Sequence, residues 1–367
     1  MWTPILWRGF ASDDFERVPT TWADFLGDPL RLDGRPVEML SFALLPDDAV
    51  VHHAVSLIVY VACIGMLWQV CRRLAPGPWP TFLALSSFFH PAFLWGVTWI
   101  AQRTTVLVIF FLLAAIAAPR TPARLAMIVA GSGVRTPYIF QNLVFSFQFV
   151  RRRQFVASIV PFVCLLAFGV AGYVTYYDRA TGIDTLANPS IPAAVSVPLR
   201  FLKLLEGVVY VFAPVPMFAV AFWGPMLAFA GYAACWIVIA RSLRPIHTGE
   251  QLWIPAMAAA MCIPFVFASE VRVTGEAAVM TFLAAACAAS TEWRLSAKMA
   301  VIGLLVLNLT GIALNYGLFA SKQFDIRGMP VYSDSSAPVY AYRAWREDLR
   351  RRLLETLGLI APWRTFE

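Results

Sequence analysis

Apolar stretches separated by short polar loops run along most of the chain, beginning near residue 52. They lie at 52–71, 80–100, 104–118, 124–137, 138–150, 154–175, 219–240, 251–269, 273–291 and 298–319. A helix needs about 20 consecutive apolar residues to cross the hydrocarbon core of a bilayer. The pattern therefore predicts an all-α fold, a polytopic bundle of about ten transmembrane helices. The fourth and fifth stretches, divided at Pro137, are short for full spans.

The composition is that of a membrane protein. Charged residues make up 14% of the 367 residues and hydrophobic residues 59%, whereas about a quarter of the residues of a soluble domain are charged. The net charge of +7 comes from basic residues clustered between the apolar stretches, which favours a role in helix orientation over nucleic-acid binding. The six cysteines form no CxxC pair and are expected to be core residues.

The basic clusters indicate an orientation, because cytoplasmic loops of membrane proteins carry an excess of Lys and Arg. If the first stretch runs from outside to inside, five clusters fall on the cytoplasmic side: Arg72/Arg73, Arg120/Arg124, Arg151/Arg152/Arg153, Arg241/Arg244 and Arg294/Lys298. The opposite orientation places every one of them outside. We therefore expect the remaining loops to face away from the cytoplasm, namely 1–51, 90–103, 176–218, 270–272 and the tail from 320.

The chain divides into three predicted regions. Residues 1–51 form an extracytoplasmic N-terminal segment with an acidic motif, 52–319 form the transmembrane core, and 320–367 form an extracytoplasmic C-terminal tail. Within the core, 201–212 has apolar residues at helical spacing and predicts a helix lying in the membrane interface. In the tail, 340–357 combines an apolar stripe with arginines and predicts a short amphipathic helix.

Two adjacent acids stand in the first extracytoplasmic segment, in the sequence Ser12-Asp13-Asp14-Phe15. Acids in such a position are common in solvated turns. A carboxylate at the membrane surface can also act as a general base towards an acceptor hydroxyl or amide, and one correctly placed group is enough. Asp13 and Asp14 are therefore the candidate catalytic residues.

Charged residues inside or beside apolar stretches are further candidates, because each costs about 2.5 to 3.5 kcal/mol on insertion scales. Arg103 opens the third stretch, Glu270 and Arg272 flank a turn between two later ones, and Arg135 lies in a glycine-rich apolar run. Snorkelling to the surface or ion pairing within the protein would also account for them. Together with the outward histidines, the arginines predict an anion pocket, for which phosphate is the natural ligand.

A metal site is the other interpretation of the histidines. His52, His53 and His90 with Asp13 or Asp14 would supply enough ligands, but no pair has the i, i+4 spacing of a helical metal site. We therefore predict no metal ligands and no firmly implied cofactor, although a divalent ion stays an alternative. The sequence has no Walker A, GxGxxG, GxSxG or HExxH motif, which disfavours nucleotide-driven transport and hydrolysis.

The order of these landmarks resembles that of the GT-C membrane glycosyltransferases, nearest to the protein O-mannosyltransferase type and the tetratricopeptide-containing O-mannosyltransferases. The matching features run over residues 12–320: Asp13-Asp14-Phe15, Arg35-Pro36, His53 with Ser56-Leu57, His90-Pro91, Gly96 to Arg103, and Glu270-Val271-Arg272. The ordered series carries the resemblance more than any single motif does.

This resemblance implies an integral membrane enzyme at the periplasmic face of a bacterial inner membrane. It would transfer a sugar from a polyprenyl-phosphate donor to a protein, lipid or surface-glycan acceptor. The catalytic base would be Asp13 or Asp14, and Arg35 and Arg135 would bind the acceptor or support the structure. The donor-phosphate site would be formed by Arg103, Arg272, His53, His90 and Glu270.

The chain departs from those families at its N-terminal segment, at residues 135–136, and in having no helical repeats after the membrane part. They begin with a spanning helix, whereas Met1 to Phe10 is too short to span and is interrupted by Pro4 and Arg8. We therefore expect either a missing first helix upstream or an exported N terminus. Arg135-Thr136 stands where the families often have Lys-Glu. A truncated, inactive copy is accordingly one alternative.

Two further alternatives concern function. A membrane transporter or flippase for a lipid-linked or anionic solute would also attract its ligand with outward arginines, although transporters usually repeat half of their topology and no repeat is evident here. An O-antigen ligase or polymerase would be expected to carry a larger external loop than 176–218, richer in Arg and His.

Overall fold

The structure is a computed structural model that describes residues 20–28, 35–93, 100, 103–134, 136–180, 193–218, 223–246, 249, 251–266, 274–320 and short pieces of 345–356. Apart from turns and one isolated bridge between Leu243 and Ala289, these residues form helices. The α-helices are α1 (Trp22–Gly27), α2 (Pro36–Ala43), α3 (Ala49–Leu74), α4 (Pro78–Ser86), α5 (Arg103–Ala117), α6 (Thr121–Ser132), α7 (Thr136–Arg151), α8 (Phe155–Ala180), α9 (Ala193–Phe212), α10 (Gly224–Ala240), α11 (Trp253–Cys262), α12 (Gly275–Ala288) and α13 (Leu295–Ala320). The all-α prediction is confirmed for this part of the chain.

Helix α3 is a long apolar helix with defined ends. Asp48 caps its start, because the carboxylate accepts hydrogen bonds from the backbone N–H groups of Val50 and Val51 at 2.7 and 3.3 Å. Its 26 residues extend for about 39 Å, more than the hydrocarbon core of about 30 Å. Arg72 and Arg73 lie in its last turn, where positive charge is favourable.

Helices α3 and α5 run side by side in the same direction. At one end, Arg103 at the start of α5 contacts His52 near the start of α3, with 3.2 Å between Nη2 and Nδ1. At the other end, Arg73 of α3 donates a hydrogen bond to the carbonyl of Ile116 in α5 at 2.9 Å. We refer to the two ends of this helix pair as the Arg103 end and the Arg73 end.

Helix α12 is aligned with this pair. Gly275 at its start packs against Thr105 in the first turn of α5. Cys287 near its other end lies beside Cys71 in the last turn of α3. Helix α4 packs on α3 and α12 and returns from the Arg73 end towards the Arg103 end.

Aromatic side chains fill the core between these helices. Tyr60 of α3 packs edge-on against Phe88 and Phe93, with ring centroids 5.4 and 6.0 Å apart, and its hydroxyl donates to the carbonyl of Phe88. Phe282 of α12 meets Trp236 of α10 edge-on at 5.0 Å. Edge-to-face pairs of this kind stabilise packing beyond the apolar area that they bury.

Among the residues that the structure describes, two helices are long and apolar enough to cross a membrane, α3 and residues Leu295–Leu314 of α13. Other apolar helices, among them α5, α10 and α12, have 10 to 17 residues. The helical class is thus confirmed for this part of the chain, whereas the bundle of about ten full spans stays a prediction.

The predicted span 80–100 is wrong as a single helix. Helix α4 ends at Ser86, and a short 3-10 turn over Ser87–Phe89 leads into His90-Pro91. Pro91 has no backbone N–H with which to continue a helix, so the apolar run is divided there. Apolarity alone does not show this break.

The division of 124–150 was predicted at Pro137 and lies slightly earlier. Helix α6 ends at Ser132, and α7 begins at Thr136 with Pro137 in its first turn, where the missing N–H costs nothing. The predicted interface helix 201–212 is the C-terminal part of the longer α9.

The surface of several helices is apolar. Exposed large side chains include Val156 and Ile159 on α8, Leu227 on α10, and Leu295 and Met299 on α13, all more than half exposed. Exposed apolar side chains on several helices are what contact with lipid or with another protein would cover.

The structure brings the five basic clusters to the Arg73 end. Arg124 donates to carbonyls at the end of α5. The Arg151 guanidinium lies over the ring of Trp253 at 5.9 Å, beside the end of α3. Lys298 lies over Trp79, which follows α3, at 5.7 Å. The Arg241/Arg244 and Arg294 loops meet at the end of α12.

The described pieces of the tail are helical, as predicted for 340–357. Asp348 pairs with Arg351 and Arg352 at 2.5 and 2.7 Å, the i, i+3 and i, i+4 spacings of neighbours on a helix. The hydrogen bond from Arg351 and the charge of Arg352 hold the pKa of the Asp348 carboxyl below its usual range. Leu349 and Leu353, one turn apart, are both exposed, as the apolar stripe of an interfacial helix would be.

Candidate functional site

Five of the predicted site residues lie outside the described residues. They are Asp13, Asp14, Arg135, Glu270 and Arg272. Their roles stay predictions, and so does the meeting of the acids with Arg272. The structure places the four others, Arg35, His53, His90 and Arg103.

Arg103 is the most deeply buried cation of the described residues, with 1% of its surface exposed. Its Nη2 donates to the carbonyl of Ser41 at 3.2 Å and lies 3.2 Å from Nδ1 of His52. The guanidinium stacks over the ring of Phe42 at 4.6 Å. We call these four residues the Arg103 cluster. Burying a charge is costly unless polar and aromatic groups replace water, and the cluster supplies both kinds.

The cluster assembles from three helix ends. Ser41 and Phe42 belong to the last turn of α2, His52 to the first turn of α3, and Arg103 begins α5. The Asp48 cap sets the phase of α3, and its carbonyl accepts from the backbone N–H of His52 at 3.1 Å. This phase turns the His52 ring towards Phe42, with ring centroids 5.8 Å apart.

The contact also defines the protonation of His52. A guanidinium only donates hydrogen bonds, so a bond from Arg103 requires the lone pair on Nδ1 of His52. The ring proton is then on Nε2, and His52 is neutral. A neutral imidazole accepts from Arg103 without competing with it for an anion.

A second histidine, next to the predicted His53, contacts Arg103. His53 was predicted to line the donor site and is buried, with 1% of its surface exposed, and this role stays a prediction. The neighbouring His52 lies 3.2 Å from Arg103. Consecutive residues of a helix point about 100° apart. The sequence offered both histidines, and the deciding signal was the position of the Asp48 cap.

A buried acid lies one turn before the cluster. Glu38 of α2 is fully buried and pairs with the predicted residue Arg35 at 3.2 Å. Its carbonyl accepts from the Ser41 hydroxyl at 2.7 Å. Arg35 therefore has a structural partner within α2, one of the two roles that the sequence left open. Sequence reasoning missed Glu38, although an acid four residues before Phe42 on a short apolar helix was a usable signal.

A second buried acid lies at the same end. Glu276 is the second residue of α12 and is 2% exposed. The preceding Gly275 packs against Thr105, which is two residues after Arg103. The start of α12 therefore brings a carboxylate to the end of the bundle that holds Arg103.

His90 lies in a different environment. It is fully buried after the turn Ser87–Phe89, and its Nδ1 accepts from the N–H of Ala92 at 3.2 Å. Its ring meets Phe282 edge-on at 6.4 Å. Among the described residues, no hydrogen bond or ring contact joins His90 to the Arg103 cluster. The common pocket predicted for His53, His90 and Arg103 stays a prediction.

Metal ligation has no described site. Among the residues that the structure describes, no three His, Cys, Asp or Glu side chains come together as a metal site.

Comparison with protein-family models, with curated proteins and with solved structures finds no match for this chain. The function proposed below therefore rests on the residues of the chain itself, above all on the Arg103 cluster.

Proposed function

We propose that the chain is an integral membrane glycosyltransferase of GT-C type. It transfers a sugar from a polyprenyl-phosphate donor to a protein, lipid or surface-glycan acceptor. The observation that carries the proposal is the buried Arg103 guanidinium, held by the Ser41 carbonyl and the neutral His52 at the junction of three helix ends. A cation kept at such a cost indicates a functional site.

Phosphate chemistry needs such a group. The acceptor oxygen attacks the anomeric carbon of the sugar, and the carboxylate of Asp13 or Asp14 takes its proton. The bond from the anomeric carbon to the phosphate oxygen breaks, and the electron pair leaves with the phosphate. A guanidinium beside this oxygen stabilises the developing charge, and its planar fork suits a phosphate.

The remaining predicted residues have supporting roles in this proposal. Arg272 adds a second cation for the phosphate, with Glu270, His53 and His90 nearby, and Arg135 serves the acceptor or the structure. Apolar surface between the helices holds the polyprenyl chain.

The orientation of the proposed enzyme comes from the two ends of α3. The basic clusters gather at the Arg73 end, which we assign to the cytoplasm by the excess of Lys and Arg. The rise from His52 to Arg73 is about 32 Å, close to the thickness of a bilayer core. The Arg103 end then faces the periplasm, where a bacterial inner membrane presents its lipid-linked sugars for export.

The test is sugar transfer by the purified chain in proteoliposomes, with a polyprenyl-phosphate-sugar donor and a mixture of peptide, lipid and glycan acceptors. Asp13→Asn and Asp14→Asn are assayed singly. We expect one of them to lose about 100-fold or more of the transfer rate, because general-base catalysis contributes about that much. The matched control is Asp47→Asn, an exposed acid near the start of α3, which keeps the wild-type rate.

Two outcomes contradict the proposal. Full activity in both variants removes the proposed base. Solute flux through the proteoliposomes without a covalent product assigns the chain to the transporter class instead.

A further inference from the structure

A polar cavity lies at the Arg73 end of the molecule, opposite the Arg103 cluster. The loop after α10 and the loop after α12 meet there through the isolated bridge between Leu243 and Ala289. Two backbone hydrogen bonds fix them to each other, from Arg244 N–H to the Ala288 carbonyl at 2.6 Å and from Ser290 N–H to the Ser242 carbonyl at 3.0 Å. The two loops are therefore fixed to each other, and we refer to them together as the frame.

This frame encloses a cavity of about 560 Å³ that is lined by three arginines, Arg241, Arg244 and Arg294. Glu292 also lines it, so the ionised side chains of the lining carry a net charge of +2. The hydroxyl-bearing Ser242 and Ser296 complete the polar wall. We call this cavity the arginine pocket.

The three arginines of the pocket differ from other arginines at the same end in their hydrogen bonding. Arg73 and Arg124 donate hydrogen bonds to carbonyls in and just after the last turns of α5 and so have a structural role. No ion pair or side-chain hydrogen bond engages the three arginines of the pocket within the part of the chain that the structure describes. All three side chains are exposed and line the cavity.

We propose that the arginine pocket binds a phosphate group. Guanidinium groups bind phosphate oxygens through paired N–H donors, and serine hydroxyls add further donors. Basic pockets between membrane helices on the cytoplasmic side bind the head groups of anionic lipids.

A lipid is the favoured carrier of this phosphate. Leu295 and Met299 follow the pocket on α13 and are 74% and 56% exposed, so apolar surface begins directly beside the cationic wall. An anionic glycerophospholipid matches both features, with its phosphate in the pocket and its acyl chains along α13. A soluble phosphate compound shares the head-group chemistry and is distinguished by experiment.

The test measures phosphate binding to the full-length chain in detergent by native mass spectrometry. Phosphatidylglycerol, phosphatidylcholine and inorganic phosphate are added separately to the wild-type chain and to the triple variant Arg241→Gln/Arg244→Gln/Arg294→Gln. We expect the wild-type chain to retain phosphatidylglycerol over phosphatidylcholine, and the variant to weaken that binding at least about tenfold. Retention of inorganic phosphate alone, lost in the same variant, supports the pocket with a soluble ligand.

The matched control removes the same charge outside the pocket. Arg120→Gln/Arg152→Gln/Arg153→Gln changes three exposed arginines at the same end and is expected to weaken binding less than threefold, an effect of general electrostatics. Equal loss in both triple variants, or no loss in the pocket variant, overturns the proposal.

A single variant guards against misfolding and misinsertion. Ser296 is exposed in the first turn of α13, which has no acid there. Ser296→Asp places negative charge at the pocket where it favours the helix, so the fold and the Lys/Arg count stay intact while phosphate is repelled. Wild-type phosphatidylglycerol binding by Ser296→Asp contradicts the proposal. Because the pocket and Arg103 lie at opposite ends, this result is independent of the sugar-transfer assay.

Discussion

Arg103 is held in its buried position by a small number of specific contacts. Its Nη2 has two acceptors, the Ser41 carbonyl and Nδ1 of His52, and one ring face, that of Phe42. Removing one acceptor leaves a buried charged donor with fewer partners, which costs more than an average hydrogen bond. His52 is thus a positioning residue for Arg103.

Substitution of His52 tests this role. We expect His52→Leu to lower the free energy of unfolding by about 1.5 to 3 kcal/mol, the range for a hydrogen bond to a charged group. His52→Asn places an amide oxygen near the position of Nδ1 and is expected to recover most of the stability. Thermal unfolding in detergent measures both. If the Leu and Asn variants are equally stable, the hydrogen bond is not what holds Arg103.

Helix ends determine which residues meet. The Asp48 cap fixes the start of α3, and the phase of α3 then brings His52 to Arg103 at the start of α5. Asp48 is not part of the Arg103 cluster, but the cluster depends on the helix start that Asp48 fixes.

Removal of the cap gives a prediction at this scale. Asp48→Ala leaves the N–H groups of Val50 and Val51 without their acceptor and is expected to cost about 1 kcal/mol of stability. Asp47→Ala is the control, since the neighbouring acid is exposed and does not cap the helix. Unfolding of the two variants is compared under one set of conditions. Equal stability of both variants contradicts the assigned cap.

The sequence predicted the helices better than their ends. Helices α3, α5 and α13 lie where the apolar stretches predicted them, because the length of an apolar stretch can be counted from the sequence alone. The run 80–100 failed because the break at His90-Pro91 is a backbone effect inside an apolar pattern. Arg103 was predicted from its cost in an apolar run. Glu38 and His52 were not assigned to the site, since their burial depends on how α2 packs against α3.

At the scale of the whole molecule, charge is divided between two ends. The basic clusters of five loops share the Arg73 end, although they are far apart in sequence. The Arg103 cluster occupies the other end. The rule for cytoplasmic loops then predicts one orientation for the proposed membrane enzyme, with the Arg73 end in the cytoplasm.

Cysteine labelling in intact cells tests this orientation. Leu44→Cys, 63% exposed after α2, is expected to react with a membrane-impermeant maleimide. Gln154→Cys, exposed beside the Arg151 cluster, is expected to react only after permeabilisation. The wild-type chain is the control, because its six cysteines are buried or half-buried. Labelling of Gln154→Cys before permeabilisation, without Leu44→Cys, reverses the orientation.

In the proposed enzyme, Arg103 binds the donor phosphate. The most direct measurement compares the inhibition of sugar transfer by polyprenyl phosphate and by polyprenol, which lacks the phosphate, in the wild-type chain, Arg103→Lys and Arg103→Gln. We expect the wild-type chain to be inhibited at least tenfold more strongly by polyprenyl phosphate, a difference of about 1.4 kcal/mol. Arg103→Gln should lose this preference, and Arg103→Lys should keep only part of it because lysine lacks the fork. An unchanged preference in Arg103→Gln would contradict the account.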